Sequence, residues 1–248
     1  LRISMKYGVC HLSVVPCRFE PFDTSEMVTQ LLFGETVKIY EEKKKDWRRA
    51  KTAADDYDCW IDIKQVTLIT EEEFNAINQH NVSAELIHVA EDKENERFTP
   101  IVLGSSLPEF KSGVLKIGEQ NIAFSGNVID TSKKIDKSHL VQNALMYLNS
   151  PYLWGGRSPF GIDCSGFTQV VYKLNGFQLP RDASQQAEIG QTLSFIEESE
   201  SGDLAFFDNE DGNIIHVGIM LENNRIIHAS GKVRIDKIDH QGLSLIHI

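Results

Sequence analysis

Very little in this chain would tie it to nucleic acid or to a bilayer. Its 25 Lys and Arg are outnumbered by 36 Asp and Glu, giving a formal net charge of −11. A surface of that sign disfavours phosphate backbones and anionic lipid as partners. No apolar run approaches the roughly 20 residues of a membrane span. Cysteine is scarce, at four residues. Cys10 and Cys17 have the wrong spacing for a zinc knuckle, and Cys59 stands alone, so no metal framework is written here. A Cys10–Cys17 disulfide could form in an oxidising compartment, but free thiols are the simpler expectation. No metal and no cofactor are expected. Leu1 to Lys6 has no apolar h-region, so no export signal is visible. A start without Met fits a mature or trimmed product, and the apolar ending Gly242 to Ile248 suggests truncation.

What is present divides into three parts. From 1 to about 75, short alternating strands (Gly8–Val14, Thr36–Tyr40, Trp47–Ala50, Cys59–Ile63) alternate with charged turns, the pattern of a small β-barrel. Thr70 and Glu73 make a capping box that opens a short helix toward Ile77. From 76 to 131, strand-length pieces recur (Phe98–Leu103, Gly113–Ile117, Asn121–Phe124, Asn127–Ile129), punctuated by glycine, which suggests a second small barrel. A polar linker, Asp130 to Asp136, leads into the third part, 132–248. It opens with a helix from Ser138 that carries Leu140, Val141, Ala144, Leu145 and Leu148 on one face and ends at Ser150-Pro151.

The chemistry centres on Cys164. It follows a loop, Trp154-Gly-Gly-Arg-Ser-Pro-Phe-Gly-Ile, and precedes Phe167, Val170, Val171 and Leu174, whose spacing predicts a helix stopped by Gly176. Cys164 therefore falls at a helix N-terminus, where unpaired N–H groups and the dipole favour a thiolate. A lone Cys is more often a small buried side chain. The polar flanks Asp163 and Ser165 and the loop composition argue against that reading.

A nucleophilic thiol needs a base. Ile214–Leu221 and Arg225–Ser230 read as two strands of a hairpin around Glu222-Asn-Asn224. Side chains alternate faces with period two, so loop length decides whether His216 and His228 cooperate. A two-residue loop would put His228 opposite Ile219, facing away from His216. A three-residue loop puts His228 opposite Gly218, diagonal to His216 on one face at roughly 7–8 Å between backbones. The functional reading thus requires the odd loop, with Asn224 able to take the left-handed conformation.

These segments resemble the NlpC-type (NlpC/p60) cysteine peptidases, bacterial enzymes with a papain-like core that cut peptidoglycan stem peptides. The resemblance rests on Tyr152-Leu-Trp-Gly-Gly, Asp163-Cys-Ser-Gly-Phe, Gly202-Asp-Leu-Ala-Phe-Phe, His216-Val-Gly-Ile and Ile227-His-Ala-Ser, and covers about Ser138 to Asp239. It implies Cys164 as nucleophile, His216 as general base and His228 as the residue orienting His216, with the oxyanion held in part by the Cys164 N–H. It further points to Tyr152, Trp154, Asp163, Ser165, Arg181 and Asp182 as cleft residues. Asp182 and Gln185 also match a capping box, Asp163 could be a second cap, and Arg181 could bind a substrate carboxylate or be a solvated surface charge.

Leu12 to Glu35 resembles the bacterial SH3-like barrels fused to this class, two of which precede the enzyme in a three-domain subgroup. The implied fold is α+β, a papain-like domain behind two SH3-like β-barrels. The implied activity is hydrolysis between γ-D-glutamate and L-lysine or diaminopimelate, in murein tripeptides or tetrapeptides with a free N-terminal L-alanine. Glu26 and Tyr57 would face the cleft and receive the ammonium. Exported family members imply the cell envelope. A wall-binding protein with an inactive papain-like domain, and an amidase or acyltransferase using the same dyad, stay open as alternatives.

Overall fold

The computed structural model describes residues 2–43, 45–77, 79–193, 195–239 and 242–244. The last four residues of the apolar ending, 245–248, lie outside the described residues.

The N-terminal strands are β1 (Arg2–Cys10), β2 (Val14–Arg18), β3 (Met27–Leu32), β4 (Thr36–Lys43), β5 (Trp47–Thr52), β6 (Asp58–Asp62) and β7 (Val66–Ile69). Alternation places one face of each inside, as in β2, where Val15 and Cys17 are fully buried between partly exposed neighbours. They form one antiparallel sheet in the order β3-β2-β6-β5-β4-β1-β7. The expected strand Gly8–Val14 is really the end of β1 and the start of β2, separated by a turn at 11–13. The barrel is also not closed: β3 and β7 stay at opposite edges among the described residues. The β3 edge is covered instead by the C-terminal region, whose Arg157 N–H donates to Gln30 Oε1 at 2.7 Å, which removes an exposed pairing edge.

Helix α1 (Glu71–Ala76) carries the expected capping box, with Thr70 and Glu73 each bonding the other's backbone N–H. The middle strands are β8 (Asn81–Ser83), β9 (Ile87–Asp92), β10 (Arg97–Val102), β11 (Val114–Ile117), β12 (Gln120–Phe124) and β13 (Val128–Asp130). They divide into a four-stranded sheet, β10-β9-β12-β11, and a β13-β8 pair. Among the described residues the second barrel is therefore not a single closed ring either.

In the C-terminal region, α2 (Lys137–Met146) and α3 (Cys164–Leu174) pack on a five-stranded antiparallel sheet. Its strands, in order, are β16 (Leu204–Asp208), β17 (Ile214–Leu221), β18 (Arg225–Ser230), β19 (Lys232–Asp239) and β20 (Gly242–Ser244). A short hairpin, β14 (Arg157–Ser158) with β15 (Gly161–Ile162), precedes α3, and α4 (Ala183–Ala187) follows it. All four apolar residues that predict α3 are fully buried. α2 buries a narrower face than expected: Leu140 and Ala144 are inside, whereas Leu145 and Leu148 are each 41% exposed.

The three regions meet on one charged cluster. Glu35 accepts two hydrogen bonds from Arg157 (2.7 and 3.0 Å) and one from Lys173 (2.9 Å). Lys173 also donates to Gly104 O and Ser106 Oγ of the middle region. Close backbone approach supports the same junction. Gly155 has φ +77°, and a Cβ there would lie 2.2 Å from Met27 O, so only glycine lets the Cys164 loop seat on β3.

Candidate active site

Helix α3 starts at Cys164 because Asp163 caps it. Asp163 Oδ1 accepts the Gly166 N–H at 2.7 Å, and Oδ2 accepts the Gly155 N–H at 2.8 Å. Its carboxylate is also paired with Arg181 through two bonds, of 3.0 and 2.5 Å. Arg181 donates further to Ser165 Oγ (2.8 Å) and to Thr29 Oγ1 of β3 (2.9 Å), and is only 2% exposed. Asp163, Ser165 and Arg181 thus form a buried bracket under the helix start. Arg181 is neither a surface charge nor open to a substrate carboxylate, because Asp163 occupies it.

The backbone N–H groups of Ser165 and Val217 lie near enough to the Cys164 thiol to favour its ionised form, which puts it beside the strand that carries His216. Its ionisation corrects the expectation of an easily formed thiolate. Burial and the Asp163 charge push the thiol up, and the two N–H groups and Arg181 only partly offset them.

The hairpin has the odd loop. Leu221 pairs with Arg225 and Gly218 with His228, which leaves Glu222–Asn224 as the loop. Asn223 and Asn224 both adopt positive φ, 61° and 51°. His216 Nε2 then lies 2.7 Å from His228 Nδ1, with the rings edge to face. Burial, and then His228, hold His216 down to about 4. His228 is fully buried, and burial holds it down against the pull of Asp236.

Sequence reasoning missed Asp236, whose Oδ2 lies 2.8 Å from His228 Nε2 and whose Oδ1 accepts from Arg234 Nη2 at 2.7 Å. The period-two rule could have found it. Val233 and Ile235 alternate toward the core in β19, so Arg234 and Asp236 share the face of His228.

The remaining residues line the junction with the N-terminal region. Trp154 is 62% exposed, and its Nε1 donates to Glu26 Oε1 at 2.7 Å. Tyr57 O–H donates to Asp182 Oδ1 at 3.2 Å. Asp182 also precedes α4, its N–H donating to Gln185 Oε1 at 3.2 Å. Burial pushes Asp182 up despite Arg181. Tyr152 is half-buried and pushed up to about 12 by burial and then by the nearby Cys164 and Asp163 charges.

A cysteine at a helix start beside a two-histidine strand pair is the arrangement of a papain-like thiol hydrolase. Residues 149–245 match the NlpC/P60 family, and residues 18–66 match the bacterial dipeptidyl-peptidase Sh3 domain. The chain therefore carries an NlpC/P60 domain behind a bacterial SH3 domain. It is 38% identical over 114 residues to a gamma-D-glutamyl-L-lysine dipeptidyl-peptidase of Bacillus subtilis, covering 45% of this chain and 38% of that protein. It is 27% identical over 232 residues to a protein of the same name from Bacillus cereus, covering 84% and 68%. The chain thus spans well under two thirds of the first relative. A crystal structure of an NlpC/P60 family protein from Bacillus cereus superposes with a TM-score of 0.79 over 92% of this chain and 93% of that one, at 21% identity, a likeness of fold.

Proposed function

We propose that the protein is a cysteine endopeptidase that hydrolyses the bond between γ-D-glutamate and an L-diamino acid, L-lysine or diaminopimelate, in peptidoglycan stem peptides at the cell envelope. The observation that most supports it is the 2.7 Å contact of His216 with His228 on the strand whose next residue, Val217, adjoins the Cys164 thiol, within the segment that matches the NlpC/P60 family. The names of the Bacillus relatives support the bond class. In this reading residues 1–75 and 76–131 are two SH3-like modules, and 132–248 is the peptidase.

His216 takes the thiol proton as Cys164 Sγ attacks the amide carbonyl. The oxyanion meets the Cys164 N–H at the helix start and the Tyr152 hydroxyl, which lies close enough to feel the thiol's charge. The imidazolium then protonates the leaving amine, and water resolves the thioester. Glu26, Tyr57 and Asp182 supply two carboxylates and a phenol at the end of the cleft, a set suited to the free ammonium of an N-terminal L-alanine. Trp154 walls that end. The amide hydrolysis reading is favoured over a wall-binding passenger by the complete Cys164, His216, His228 set.

The test compares L-Ala-γ-D-Glu-L-Lys with its N-acetylated form. The expected result is cleavage of the free amine at least tenfold faster, with Glu26→Gln and Tyr57→Phe raising KM for the free amine only. Equal cleavage of both peptides would remove the amine-binding roles of Glu26, Tyr57 and Asp182.

A further inference from the structure

Two neutral imidazoles in line present two possible proton arrangements, and only one serves a thiol. His216 commits Nε2 to His228, so Nδ1 is the ring nitrogen left for Cys164. If Nδ1 carries the proton, His216 cannot accept another. The choice between the arrangements is made at the far end of the chain of bonds.

We propose that Asp236, held by Arg234, is a positioning residue that fixes the tautomers of both histidines so that His216 offers an unprotonated Nδ1 to the thiol. This rests on the thiol-hydrolase reading of Cys164 and His216. A carboxylate only accepts hydrogen bonds. Asp236 Oδ2, 2.8 Å from His228 Nε2, therefore requires the proton on that nitrogen. Neutral His228 then has a bare Nδ1, which accepts at 2.7 Å from His216 Nε2–H. His216 Nδ1 is left with its lone pair. Arg234 occupies the other carboxylate oxygen at 2.7 Å. Because Arg234 only donates, it keeps that end an acceptor and the carboxylate from turning. Both histidines are held below their ordinary range by burial, so the neutral pair is the resting form.

The geometry makes an unusual demand on Asp236→Asn. Arg234 only donates, so the introduced amide turns its oxygen to Arg234 and its NH2 to His228 Nε2. Nε2 must then accept, His228 Nδ1 becomes the donor, and His216 is forced to carry its proton on Nδ1. Both tautomers invert while the fold stays. Removing Arg234 as well frees the amide to rotate and give its oxygen back to His228.

The experiment is 15N NMR of the histidine side chains at pH 7.5 in wild type, Asp236→Asn and Asp236→Asn with Arg234→Met. Alkylation of Cys164 by iodoacetamide is followed in the same samples by peptide mass mapping. Wild type should show protons on Nε2 of both His216 and His228. The single variant should show them on Nδ1, with alkylation slowed roughly 10²-fold, the scale of a lost general base. The double variant should restore the Nε2 tautomers and at least tenfold of the alkylation rate. Wild-type protons on Nδ1, unchanged tautomers in Asp236→Asn, or a double variant no faster than the single would each overturn the proposal. Neither readout uses a peptide substrate, so the proposed bond specificity could fail while this inference stands.

Discussion

At Cys164, burial and the Asp163 charge outweigh the N–H groups of Ser165 and Val217, and at His216 burial dominates. The thiol is pushed up and the imidazole is held down to about 4, first by burial and then by His228. The resting site is thus a neutral pair, and the proposed mechanism needs His216 unprotonated. Activity should persist well below pH 6.5 and fall only as pH drops toward about 4. The linkage to stability has the matching sign. The unfolded imidazole protonates near 6.5, so this group's contribution is full above that value and declines as pH falls toward about 4. A kcat/KM profile from pH 3 to 9 checks the first statement, and an acid limb at 6.5 would contradict it. The Asp163–Arg181 bracket gives a second prediction. Arg181→Leu leaves a buried carboxylate without its cation and should cost about 3–5 kcal/mol by urea unfolding. Cys164, His216 and His228 are legible in the sequence because helix and strand periods fix their local placement. The burial of Arg181 is not, because its partner Thr29 lies in β3, far away in sequence, and no local pattern encodes that contact.

The β17–β18 hairpin sets the His216–His228 contact of the proposed mechanism through its loop length. Deleting Asn223 would shorten Glu222–Asn224 to two residues and slip the register by one. His228 would then face away from His216. The expected outcome is loss of at least 10²-fold in rate, with the far-ultraviolet circular dichroism little changed. Asn224→Val, placing a β-branched residue at φ 51°, should destabilise by about 1–3 kcal/mol, read from the denaturation midpoint. This element was legible in full: alternation and turn composition require three loop residues if the histidines are to meet, and Leu221 pairs with Arg225 as that demands. The barrels were less so. Alternating strands announce a sheet, but closure depends on edge pairing, which has no local signature. Here the C-terminal region covers the β3 edge through Arg157.

Across the whole molecule, Glu35 joins three regions. Burial pushes its carboxyl up, but the Arg157 and Lys173 charges overcome this and hold it down to about 2. Its contribution is present above the unfolded value near 4.3 and is lost as pH falls through about 2. Glu35→Gln would strand two buried cations and should cost about 3–5 kcal/mol, measured by chemical denaturation. Separate melting of the regions at acid pH would fit the same role. The seat that Glu35 secures also brings Glu26 and Tyr57 against Trp154 and Asp182, so its loss should raise KM for free-amine peptides.

The central claim is that Cys164 cuts a γ-D-glutamyl bond. The most direct test is mass spectrometry of L-Ala-γ-D-Glu-L-Lys after incubation with wild type and with Cys164→Ala. The account predicts L-Ala-D-Glu and free lysine from wild type alone. An intact tripeptide with wild type, or the same products from Cys164→Ala, would contradict it.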